Sequence, residues 1–266
     1  MSVNVTREAL ETRVSSIPPI RPRQAADALI AKRNILRPSE IKIELLAYAE
    51  GACVVWRDDV GRADARITRA GEDAYIAIAK SMRGTPRGRF SAAHDLAHHL
   101  LHRDRDDRDR IHGLPREDRL AFKCEWEANE FARHLLVPTL IAAPMCTSPQ
   151  PDLARVLAFA AELDVSLSVA GRRWAEMSPA PCAFVEAKHG VIKWATRSAA
   201  FRGEAVQRRV LPDGSLALDL TCGWSRSERT RVHRAAWGSA NLGGEIIEEC
   251  VTLGKSGTIL TWLWHA

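Results

Sequence analysis

The chain has 266 residues, 46% hydrophobic and 27% charged, with a formal net charge of +5 and a mean hydropathy of −0.20. That length supports one large core or two to three modest ones, and no stretch nears the ~18 uninterrupted apolar residues that would span a membrane. The opening residues, MSVNVTREALETR, hold charges where a secretory signal needs an apolar run, so a cytoplasmic protein with no membrane partner is expected.

Helical patterning covers residues 23–33 and 39–50, the second opening at Ser39 as an N-cap behind Pro38. Three short strands follow at Cys53–Arg57, Ala63–Arg69 and Ala74–Ala79, with Asp58-Asp59 and Gly71-Glu72-Asp73 as turns. A helix then runs from about Phe90 to His102. Residues 103–119 hold six basic and six acidic side chains and net zero, which reads as a solvated, self-pairing loop rather than a phosphate clamp. A second long helix spans about Asp118 to Leu136 and stops before Pro138. After a proline-rich break at 143–151, helix Asp152–Leu163, the turn Asp164-Val165-Ser166 and a helix to about Met177 follow the helix-turn-helix pattern. Its Arg172-Arg173-Trp174 either recognises nucleic acid or is buried as a connector. Beyond Pro181 strands dominate: a hairpin of Cys182–Ala187 and Val191–Thr196, then 214–222, 245–253 and 258–264. Gly254-Lys255-Ser256 lacks the earlier glycine of a phosphate loop and reads as the hairpin turn between the last two.

Chemistry concentrates in Arg89-Phe-Ser-Ala-Ala-His94-Asp95-Leu-Ala-His98-His99-Leu-Leu-His102. Histidines four apart on a helix share a face, with Cβ atoms about 6 Å apart, so His94 and His98 can both reach one zinc ion. Zinc lowers the pKa of a water it holds to about 7, and the glutamate that usually follows the first histidine takes the proton. Here that position is Asp95, shorter by one methylene, about 1.5 Å. A misplacement of about 1 Å can cost on the order of 100-fold in rate. Asp95 is therefore a repositioned base, a brake on basal proteolysis, or a relic in a pseudoenzyme; a slow or conditionally active peptidase is expected. His99, His102, His112 and His134 read as surface or satisfied histidines, with His102 complementing the helix dipole.

RFSAAHDLAHHLLH, followed some twenty residues later by EWEANEFARHLLVP, resembles the ImmA/IrrE family of zinc metallopeptidases over roughly residues 22–200. The resemblance implies that Glu125, which opens the E-x-x-A-N pattern, is the third zinc ligand beside His94 and His98. It places Asn129, on the same helical face, behind them as an orienting residue. Glu127 is the competing acidic ligand but faces another way. Ala97 stands where the family has glycine. The fold implied is α+β. A zincin-like peptidase domain of helices and a small three-stranded sheet occupies 1–142. A helix-turn-helix-like segment follows at 143–179, then a mixed α/β, GAF-like sensor domain at 180–266. Members cut DNA-binding repressors, often encoded beside them, so a helix-turn-helix repressor is the expected substrate and zinc the cofactor. The alternative is a DNA-binding regulator whose metal domain binds a partner without cleaving it.

Six cysteines without a C-x-x-C pair read as reduced thiols. Cys146, in the proline-rich break, is either a core thiol or a regulatory ligand closing zinc's open position. The basic run Arg226, Arg229, Arg231 and Arg234, near Trp224 and Trp237, suits single-stranded DNA as an activator, or is a solvated helix face. One of Trp262 and Trp264 is expected in the core and the other at the surface.

Overall fold

The computed structural model describes residues 22–60, 65–70, 73–102, 119–202, 210–224, 228–238 and 244–265. The charged loop at 103–118 with His112, the first residues of the second expected strand and Arg226 lie outside them. Helix α1 (Pro22–Lys32) buries Ala26, Leu29 and Ile30, an i, i+3, i+4 set on one face. Ser39 does not cap the next helix. It sits in a separate 3-10 turn (Pro38–Glu40), because the Glu40 carboxylate accepts the Leu36 and Arg37 amides at 2.8 and 3.1 Å; α2 (Ile43–Ala49) begins only after Lys42.

Strands β1 (Ala52–Arg57), β2 (Ala65–Ala70) and β3 (Asp73–Ala79) form a sheet of order β1-β3-β2, with β3 parallel to β1 and antiparallel to β2. Helix α3 (Pro86–Leu101) packs on this sheet and starts earlier than Phe90. Thr85 Oγ1 accepts the Gly88 amide at 3.0 Å, and Pro86 takes the first helical position, where its missing N–H costs nothing. Gly88 is required here, since a Cβ would lie 2.3 Å from the Met82 carbonyl oxygen. Helix α4 (Arg119–Leu136) packs along α1 and α3.

A short α5 (Thr139–Ala142) leads to the pair α6 (Leu153–Glu162) and α7 (Leu167–Met177). Asp152 and Ser166 cap them by accepting the Arg155 and Val169 amides, and Asp164 turns between them with φ 50°. Arg173 and Trp174 are buried at 2% and 3% exposure, so α7 acts as a connector. It lies tight on the sheet that follows: a Cβ on Gly171 would meet the Phe184 ring at 2.6 Å.

That sheet is antiparallel, order β5-β4-β8-β7-β6, built from β4 (Cys182–Lys188), β5 (Val191–Arg197), β6 (Arg229–His233), β7 (Glu245–Leu253) and β8 (Thr258–Trp264). Residues 214–222, expected as a strand, are instead helix α8 (Leu216–Cys222): Ser215 Oγ accepts the Leu218 amide, and Gly223 ends it with φ 73°. A short α9 (Arg234–Trp237) follows β6. Of the basic run, Arg229 and Arg231 therefore lie on an edge strand, and Arg234 opens α9. Along β8, Leu260, Trp262 and Trp264 join the core shared with the helices, while Ile259 and Leu263 face a second core around Leu216 and Trp237. Both Trp262 and Trp264 are buried, at 0% and 4%, because residues two apart on a strand share a face and the helical region covers that face. No helix among the described residues is long and apolar enough to cross a membrane.

Candidate metal centre

Helices α3 and α4 bring the predicted ligands together. His94 Nε2 lies 3.3 Å from one Glu125 oxygen and His98 Nε2 3.3 Å from the other, with the two Nε2 atoms 3.1 Å apart. All three ligand atoms lie within 4.8 Å of one another. Two imidazole nitrogens and a carboxylate on one point are the donor set of a three-ligand catalytic metal site. The Glu125 side chain keeps 43% of its surface exposed, so the fourth side faces solvent.

Electrostatics support the grouping. Burial works against the Glu125 carboxylate, yet hydrogen bonds from His94 and His98 outweigh it and hold its pKa far below the ordinary range. Burial likewise disfavours a charged His94, but Glu125, with Asp95 and Asn129 behind it, raises His94 above its usual value. Glu125 and His94 thus stabilise each other's charged forms, and a bound cation would take the place of the His94 proton.

Asn129 stands where the sequence places it, its Oδ1 3.2 Å from His94 Nδ1. That bond orients the ring so that Nε2 points at Glu125. Glu127 is not in the ligand group; its Oε2 is 3.0 Å from His102 Nε2. His102 in turn presents Nδ1 to His98 Nδ1 at 3.0 Å and is buried at 2%. The sequence reading missed this role for His102, although its spacing, one helical turn beyond His98, carried the signal. His99 is satisfied by the Glu50 carbonyl at 2.9 Å, and His134 is buried among charged side chains, 3.5 Å from Arg173.

Asp95 lies beside His94 with only 1% of its surface exposed. Cys146 is fully buried, its thiol donates to the Ala142 carbonyl at 3.5 Å, and burial pushes its pKa up to about 12. It is not in the His94–His98–Glu125 group; the core-thiol alternative describes it, since desolvation opposes the thiolate a metal would need. On β6 and the helix after it, Arg229 stacks over Trp264 and sits 3.5 Å from Glu249, Arg231 lies 3.4 Å from Glu245, and Arg234 donates to His265 at 3.0 Å. These three arginines have local partners and do not converge with the metal group.

Next to the centre runs a cleft of about 490 Å3. Phe90 and Asn129, both next to His94, line it together with Trp126, Arg172 and Trp194. The Arg172 guanidinium stacks on Trp194 at 4.8 Å. Both the helical region and the five-stranded sheet therefore contribute to its walls.

No curated protein matches the chain. Among solved structures, a Mycobacterium tuberculosis transcriptional regulator superposes with a TM-score of 0.63 at 15% identity, over 96% of this chain and 78% of that one; the likeness is one of fold. Residues 58–175, which span the three ligands, Asn129 and the α6–α7 pair, match the family model described as the IrrE N-terminal-like domain, Peptidase_M78. Residues 58–175 are thus similar to an IrrE N-terminal-like domain, and the His94–His98–Glu125 group lies within that stretch.

Proposed function

We propose that this protein is a zinc-dependent endopeptidase that cleaves a DNA-binding, helix-turn-helix transcriptional repressor. The observation that carries the reading is the convergence of His94, His98 and Glu125 inside a peptidase-type domain. Zinc suits two imidazoles and a carboxylate with one open side, and when bound it polarises a carbonyl and acidifies water. Asn129 holds the His94 ring. The adjoining cleft would take a segment of the substrate chain, with Phe90, Trp126 and Trp194 as apolar contacts and Arg172 for a polar or acidic one. Asp95 is the candidate base. Its burial at 1% exposure withholds it from water and supports low basal turnover that rises only on a conformational signal. The five-stranded sheet, read as a GAF-like sensor, would deliver that signal through the cleft wall, to which it contributes Glu186 and Trp194. Single-stranded DNA against the exposed β6 side chains Arg229 and Arg231 is the candidate stimulus.

The same burial of Asp95 favours a second reading, in which the domain holds metal and a partner without cutting. Incubating the full chain with the repressor encoded nearest its gene, with mass spectrometry as readout, separates the two. A single cut, lost in Asp95→Asn and kept or raised in Asp95→Glu, supports the peptidase. Zinc near one per chain should disappear in the His94→Ala/His98→Ala double variant. Zinc retained by that variant removes the site assignment, and equal cutting by wild type and Asp95→Asn removes Asp95 as base.

A further inference from the structure

Resting on the metal-site reading above, we infer that His102 and Glu127 are positioning residues that fix the tautomer and strengthen the donor character of His98. The three side chains form one directed line. Glu127 Oε2 lies 3.0 Å from His102 Nε2, and His102 Nδ1 lies 3.0 Å from His98 Nδ1. His98 Nε2 points to the ligand group, 3.3 Å from Glu125 and 3.1 Å from His94 Nε2.

Only one assignment of protons satisfies all of these contacts at a metal-loaded site. The His98 Nε2 lone pair must face the metal, so its proton sits on Nδ1 and is donated to His102 Nδ1. His102 then accepts at Nδ1, carries its own proton on Nε2 and donates it to the Glu127 carboxylate. The reverse tautomer of His102 would set two N–H groups against each other across 3.0 Å and leave the carboxylate facing a lone pair. A carboxylate hydrogen-bonded through one imidazole to another pushes electron density toward the far Nε2, which makes it a better donor.

Placement supports the assignment. His102 closes the C-terminal end of α3 one turn beyond His98, while Glu127 comes from α4, the helix that also supplies Glu125. At 2% exposure for His102 and 14% for the Glu127 side chain, water competes little for these bonds. His94 is oriented differently, by the neutral Asn129. The two histidines therefore differ on their Nδ1 side, where His94 meets a neutral amide and His98 leads through His102 to a carboxylate.

The test is zinc affinity of the full chain, measured by competition with a chromophoric chelator, together with 15N-resolved histidine tautomers in the zinc-loaded protein. Removal of an orienting partner of a metal-bound histidine typically costs about 10- to 100-fold in affinity. His102→Ala should fall in that range. Glu127→Gln, which keeps size and a hydrogen-bond acceptor but drops the charge, should lose about 10-fold, and Glu127→Asp should recover part of the loss. The spectra should show His98 protonated at Nδ1 and His102 at Nε2. Should His102→Ala fail to fold, Glu127→Gln and the wild-type spectra still decide. Wild-type zinc uptake with unchanged affinity in Glu127→Gln, or a His102 proton found on Nδ1, overturns the inference alone. Failure of the wild type to take up zinc overturns the metal reading and this inference with it.

Discussion

Arg173 ties the end of helix α4, which carries Glu125, to the connector, and its removal should be costly. Its guanidinium is 2% exposed. It donates from Nε and Nη2 to the Val137 carbonyl at 3.2 and 3.1 Å, from Nη2 to Thr139 Oγ1 at 2.9 Å, and from Nη1 to Glu176 at 2.6 Å. Arg133 also reaches Glu176 at 3.0 Å and pairs with Glu130. Arg173→Met keeps the apolar stem but strips every donor. Breaking a buried ion pair costs about 3–5 kcal/mol; because Glu176 keeps Arg133, the lower end, about 3 kcal/mol, is expected. Arg173→Lys places one ammonium where a planar fork spans three acceptors, so it should recover only part of this. Urea denaturation followed by circular dichroism gives both values. Leu136 and Glu125 are eleven residues apart on α4, about 16 Å at 1.5 Å per residue, so zinc affinity of the folded variant should not change. A loss below about 1 kcal/mol in Arg173→Met would refute the claim that this guanidinium is a buried clamp.

Two further outcomes follow from buried groups. Burial, aided by Arg173, lowers the His134 pKa from 6.5 to about 3, so the native state keeps it neutral while the unfolded chain protonates. Its contribution is therefore intact above about pH 6.5 and is lost as pH falls toward 3, at up to about 1.4 kcal/mol per unit. Unfolding free energies at pH 7 and 5 should lie closer together in His134→Gln than in wild type, and parallel curves would contradict this. Gly171→Ala gains about 1 kcal/mol of helix propensity, but the added Cβ meets a Phe184 ring that is 0% exposed and held between Trp194 and Trp262. Overpacking of about 1–3 kcal/mol should win, giving a lower melting temperature; an increase would show that the ring can move.

Periodicity within one segment was enough to read much of this protein. The spacing of His94 and His98 places them on one face of α3 whatever surrounds the helix, and the helices at 119–136, 153–162 and 167–177 follow from their own apolar patterns and caps. The family-like pattern of α4 pointed to Glu125 and Asn129, and both meet the histidines. Short segments were less legible. Residues 216–222 form an apolar run whose length suits strand or helix alike, although Ser215 and Gly223 at its ends were helix signals. Strand β6 buries only Val232 among five residues, since an edge strand with one covered face shows little apolar alternation. Contacts between helices had no sequence signature at all. That Glu127 meets His102, that Arg173 closes α4, and that Trp194 from a different sheet walls the cleft depend on which faces pack together. Local pattern determines the face a residue occupies; only tertiary packing decides what that face meets.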